Sequence, residues 1–161
     1  MKYVTLDTGY KGSAILWEDT RPIEAFLFKK VGKGINVREF ADTLIEWSPE
    51  RIMVEIFPAR PMQGVTQTSN QWRVIGQIES VCIMFCDYVE YIYVASWTSF
   101  TRRLSDNPEQ EHKKISQELA KKYFPDFTLP YKKTKHIHDG VTDALCLGIY
   151  VNRDLYIDDL K

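Results

Sequence analysis

The chain has 161 residues, 44% hydrophobic and 27% charged, with a net charge of −1 and a pI near 6.3. That is enough for one domain (1–161) with a single core, and it argues against a disordered chain or a disulfide-dependent miniprotein. Near-neutral charge gives no global pull toward polyanions, so any nucleic-acid contact must come from local segregation of cations.

At the N-terminus, alternation over 2–7 predicts a strand with Tyr3, Thr5 and Asp7 on one face. Gly9 and Gly12 then punctuate a turn into a second strand over 13–17, and 23–30 supplies a third. A helix is predicted over 37–47, with Phe40, Ala41, Leu44 and Ile45 on its buried side and Pro49 beyond its end. The apolar run 51–57 suits a buried parallel strand, and its Met53, Glu55 and Phe57 share a face. The polar connection 58–71 is long for a simple linker and reads as a functional loop.

A second helix is predicted over 71–88, with a stripe formed by Val74, Ile75, Ile78, Val81, Cys82 and Phe85. Ile83 and Met84 carry apolarity around its C-terminal half, and a helix apolar on two sides is usually buried on two sides. A strand over 91–95, a polar amphipathic helix over 109–123 and a last helix over 139–152 complete an α/β pattern with a mixed central sheet flanked by helices. The three cysteines lie in apolar helical patterns and read as reduced core thiols. No apolar run approaches the roughly 20 residues of a membrane span, and the N-terminus reads as a strand and not as a secretory signal, which implies a cytoplasmic protein.

The anomalies in this pattern are carboxylates. Asp7 ends the first strand, Glu55 interrupts a buried one, and Asp139 and Asp143 lie one turn apart on an apolar helix. Acids beside a core need pairing or a cation. A hard divalent ion, Mg²⁺ or Mn²⁺, meets that need, and carboxylate-held metal is suited to phosphodiester hydrolysis. Blander readings stand beside this one: Asp7 before Thr8-Gly9 favours a turn, and Asp139 suits a helix N-cap. No Walker lysine motif or Ser-His-Asp pattern competes. Cations cluster at 29–33, 102–103, 113–114, 121–122 and 132–135, the last just before the third acidic segment.

The segments Leu6-Asp7-Thr8-Gly9, Val54-Glu55 and Asp139-Gly140-Val141-Thr142-Asp143-Ala144-Leu145 together resemble the RuvC-type Holliday-junction resolvases of the ribonuclease H-like superfamily, in particular the compact phage versions. The resemblance spans nearly the whole chain. It implies a ribonuclease H-like sheet and a crossover-junction endodeoxyribonuclease that cuts four-way and other branched DNA by paired nicks in a bacterial or phage-infected cell. It also implies a site of Asp7, Glu55, Asp139 and Asp143 holding Mg²⁺, for which Mn²⁺ substitutes. Many RuvC proteins space the last two acids three apart or use a histidine for the first. Here they are four apart and His138 adjoins them as a further candidate ligand.

The same resemblance implies a homodimer through the helix 71–88. It makes Phe57, Met62 and Gln63, in and before the long loop, candidates for DNA contacts, with core packing as the other reading of Phe57 from its strand position, and Arg102, Arg103, Lys132, Lys133 and Lys135 candidates for phosphate contacts. Two other enzyme readings share parts of the pattern: a ribonuclease H acting on RNA–DNA hybrids, and an actin-like or sugar-kinase ATPase, whose second glycine-rich phosphate motif is missing. A junction-binding domain without catalysis is the non-enzymatic alternative.

Overall fold

The computed structural model describes residues 1–58, 64–128 and 138–160. Strands β1 (Lys2–Asp7), β2 (Ser13–Glu18) and β3 (Arg21–Leu27) form an antiparallel meander. A small hairpin, β4 (Lys30–Val31) and β5 (Gly34–Ile35), leads into α1 (Val37–Trp47). Next come β6 (Arg51–Ile56), α2 (Val65–Phe85), β7 (Val89–Tyr93), α3 (Val94–Leu104), α4 (His112–Tyr123), α5 (Asp139–Val151) and a closing 3₁₀ helix, Arg153–Asp159. The main sheet has five strands in the order β3-β2-β1-β6-β7, with β6 parallel to both β1 and β7.

Strand parity divides the core in two. Val4, Leu6, Ala14, Leu16, Ile52 and Val54 face α1 and α2, where they meet Phe40, Leu44, Val74 and Ile78. Tyr3, Ile15, Trp17 and Met53 face the other way, toward α3, α4 and α5. Asp7 and Glu55 follow the parity of this second face, so the α5 side of the sheet is the one that receives them.

Helix α5 lies unusually close to the sheet. A Cβ at Gly148 would fall 1.9 Å from the Trp17 ring, so only glycine lets the helix seat on β2. The Thr5 hydroxyl donates to the Ala144 carbonyl at 2.7 Å and accepts from Trp17 Nε1 at 2.9 Å, which satisfies a buried polar side chain while tying α5 to β1.

Several boundaries differ from the sequence reading. α2 begins at Val65 and not at 71, because the polar stretch Thr66 to Asn70 joins the helix despite its weak apolar pattern. The strand predicted over 91–95 runs from Val89 to Tyr93, and α3 follows it directly where no helix was expected. α4 starts at His112 and not at 109. Cys82, Cys86 and Cys146 are free and buried. Among the described residues no helix is long and apolar enough to cross a membrane.

Candidate active site

The parallel pairing of β1 with β6 runs to Leu6↔Val54, so the next step along both strands brings Asp7 and Glu55 side by side at their C-terminal ends. The two carboxyl groups are hydrogen-bonded to each other, and Glu55 is only 6% exposed. Two carboxylates can share such a bond only if one carries a proton. Burial pushes the Asp7 carboxyl up to about 7, and the negative field of Asp143, with a smaller part from Asp139, adds to it, while the Glu55 hydrogen bond opposes the rise. The Thr8 hydroxyl donates to the Glu55 main-chain carbonyl at 2.8 Å and pins β6 to the end of β1.

The first turn of α5 closes over this pair. His138 stands at the N-cap and Asp139 is the first helical residue, so Asp139 is not the cap that its sequence position suggested. Gly140 presses on Asp7, and its carbonyl accepts from the Ser13 hydroxyl at 3.0 Å. Asp139 and Asp143 turn toward α4. Lys113 Nζ is 3.1 Å from Asp139 Oδ2, and the Ser116 hydroxyl donates to Asp143 Oδ1 at 2.7 Å, with His112 Nδ1 at 3.9 Å from the same oxygen. Burial, with a smaller contribution from Arg102, lowers the His112 pKa and favours the neutral ring.

All four acids predicted from the sequence therefore converge on one end of the sheet, two held on strands and two engaged with α4. Among the described residues no group of three or more His, Cys, Asp or Glu side chains is already spaced as a metal cage. The donor chemistry nevertheless fits a hard divalent cation: a buried Glu55 carboxyl bonded to the partly buried Asp7 carboxyl, in the field of two more carboxylates, is a set that such a cation would ionise fully.

The predicted DNA-contacting residues divide. Phe57 follows β6 directly and is half-buried beside the acids' end of the sheet. Arg102 is exposed, donates to the Pro108 carbonyl and lies on the His112 side of α3. Arg103 points to the opposite flank, toward Phe100, Tyr150 and Arg153. Met62, Gln63, Lys132, Lys133 and Lys135 lie outside the described residues. Sequence reasoning passed over His112 and Ser116, and it gave Lys113 and Gly140 no place at the acids, Lys113 appearing only in a cation cluster and Gly140 only within the third motif. The His112/Ser116 spacing of four, with Lys113 between, is the one signal that α4 presents polar groups toward the acids.

The sheet order with β1 central, antiparallel to β2 and parallel to β6, and helices on both faces, defines a ribonuclease H-like α/β fold. Within that class the chain has the fold of RuvC. It is similar to Thermus thermophilus RuvC in complex with Holliday junction substrate, with a TM-score of 0.65 and 11% identity over 100% of this chain and 98% of that one. A second Thermus thermophilus RuvC structure gives a TM-score of 0.62 and 13% identity over 96% and 97% of the two chains. The fowlpox virus resolvase in complex with Holliday junction DNA gives 0.55 and 15% over 96% and 99%. No family model and no curated protein matches the sequence.

Proposed function

We propose that this chain is a divalent-metal-dependent, structure-selective endodeoxyribonuclease that resolves Holliday junctions and other branched DNA by paired nicking. The observation that carries the reading is the hydrogen-bonded Asp7–Glu55 pair beneath Gly140, with Asp139 and Asp143 acting on it from α5. Support comes from the fold, because a junction-bound RuvC and a junction-bound poxvirus resolvase have the same architecture.

In this reading Asp7, Glu55, Asp139 and Asp143 hold Mg²⁺ or Mn²⁺, with His138 as a further donor. Bound there, the cation supplies positive charge against the carboxylates and Lewis-acid activation of water and of the scissile phosphate. The chain's own groups do the rest. Thr8 and Ser13 fix the strand ends and α5, Ser116 and Lys113 orient the helix acids, and burial shields Glu55 from bulk water. Arg102, Lys132, Lys133 and Lys135 contact backbone phosphates, and Phe57, Met62 and Gln63 meet bases at the branch.

Paired nicking requires two sites related by a twofold axis. On α2, Ile83 is 59% and Met84 74% exposed, an apolar surface suited to an isologous contact between two copies.

The test is incubation with a labelled immobile four-way junction, a duplex and an RNA–DNA hybrid, in Mg²⁺, Mn²⁺ or chelator. Metal-dependent nicks in the junction are expected. Cleavage confined to the hybrid's RNA strand would make the protein a ribonuclease H, and binding without cleavage would make it a junction-recognition domain.

A further inference from the structure

From Asp139 to Tyr150 is a run of roughly 16 Å along α5 at about 1.5 Å per residue, which puts the end of that helix far from the acids. There α3, the end of α5 and the closing 3₁₀ helix enclose a hollow of about 670 Å³. One wall is apolar: Ala95, Leu160 and Ile157, which is 52% exposed. The other carries two guanidinium groups. Arg103 Cζ lies 5.8 Å over the Phe100 ring and Arg153 Cζ 5.2 Å over the Tyr150 ring, and the two rings meet edge to face at 5.9 Å.

The aromatic pair thus brings both cations to one mouth. An arginine resting on a ring has less rotamer freedom to lose when its N–H fork engages a carboxylate. Neither Arg103 nor Arg153 has an ion pair among the described residues, and Asp154 is the one acid lining the hollow. Through Ser96, Tyr150 and Arg153 the hollow continues into a second of about 380 Å³ lined by Glu90, Tyr91, Ile92 and Tyr93 of β7. β7 is the terminal strand of the sheet, and a terminal strand has main-chain groups to offer an incoming extended segment.

We infer that this channel is a docking site for an extended acidic peptide of a partner protein, one that carries an apolar side chain beside its carboxylates. The carboxylates pair with Arg103 and Arg153, and the apolar side chain enters the wall of Ile157 and Leu160. A nucleic-acid backbone fits the place less well, because the surface opposite the arginines is apolar. The second hollow runs from Arg51, the first residue of β6, along β7 to Ile92 and Tyr93, which pair with Glu55 and Ile56, so a bound peptide would lie one strand away from the acids.

Fluorescence anisotropy tests this with a labelled peptide Gly-Ser-Asp-Glu-Asp-Leu-Asp-Leu, a control with the acids amidated to Asn and Gln, a control with Ser for both leucines, and oligothymidylate of equal length. The parent peptide is expected to bind, and both control peptides to bind about tenfold more weakly or worse. The double variant Arg103→Glu/Arg153→Glu and the single variant Ile157→Asp are expected to show the same loss, with unchanged thermal melting as the control for folding. Absence of parent binding, or equal binding by the controls or the double variant, would overturn the assignment. Tighter binding of oligothymidylate that the double variant abolishes would make the channel a DNA contact and overturn it equally. The readout is binding alone, so its outcome is separate from that of the nuclease reading.

Discussion

Gly140 meets the Asp7 carboxylate at a separation that excludes any side chain: a Cβ at 140 would stand 2.8 Å from Asp7 Oδ2, 2.4 Å from the Lys11 carbonyl oxygen and 2.9 Å from Gly12 Cα. Glycine inside a helix costs about 1 kcal/mol relative to alanine, so its presence here reflects the close seating of α5 on the β1–β2 turn. Gly140→Ala is expected to lift the first turn of α5, to destabilise the protein by about 1–3 kcal/mol in urea denaturation, and to depress cleavage as Asp139 and Asp143 move with the helix. An alanine variant with wild-type stability and activity would show that the turn yields freely.

The Asp7 carboxyl has a pKa raised by burial from 3.8 to about 7, so between those pH values the folded state holds a proton that the unfolded chain has released. Metal-free stability therefore falls as pH rises from about 4 to about 7, and the penalty is complete above that. In chelator at pH 8, Asp7→Asn is expected to be more stable than wild type by on the order of 1–3 kcal/mol, a gain that vanishes near pH 4. Mg²⁺ is expected to raise the melting temperature of the wild type and not of the variant. Thermal melts across pH, with and without Mg²⁺, check both signs. A wild type that gains stability over the variant as pH rises would contradict the raised pKa.

Ser116 is fully buried and spends its hydroxyl on Asp143, whereas Lys113, two-thirds exposed, pairs with Asp139 at the surface. Ser116→Ala is expected to cost about 1–2 kcal/mol of stability and to raise the Mg²⁺ concentration needed for half-maximal nicking, leaving junction affinity unchanged. Lys113→Ala is expected to change stability by under about 1 kcal/mol, as exposed ion pairs do. Denaturation curves and Mg²⁺ titrations of the two variants separate these roles. An unaltered Mg²⁺ requirement in Ser116→Ala would remove that residue from the site.

If two copies meet through α2, a charge placed on its exposed apolar surface should part them. Ile83→Glu combined with Met84→Glu is expected to convert a dimer to a monomer in sedimentation equilibrium, with little effect on monomer folding because both side chains face solvent. An unchanged mass in the variant would move the contact elsewhere.

The parts of the fold most legible in the sequence are those where periodicity and punctuation agree. β1, β2, α1, β6 and α5 lie within a residue or so of their expected spans. α3 escaped because Val94 follows β7 without a turn and its N-cap, Tyr93, makes no side-chain cap bond. Its Val94, Thr98 and Thr101 are β-branched, which reads as strand until Trp97, Phe100 and Leu104 are seen as one buried face.

At the candidate site the acids were legible one by one, because each breaks an apolar pattern. Their partners were not. Ser116 and His112 look like the polar side of an ordinary amphipathic helix until α4 is laid against α5, and that juxtaposition is a tertiary fact no local pattern encodes. Gly140 likewise has no evident part at the site until Asp7 is found beneath it.

The most direct test of the central claim compares wild type with Asp7→Asn and Glu55→Gln on an end-labelled immobile four-way junction, scoring binding by gel shift in chelator and nicking in Mg²⁺. The account predicts symmetric nicks on opposing strands by the wild type, none by either variant, and junction affinity preserved in both. Junction cleavage by Asp7→Asn at the wild-type rate would contradict it.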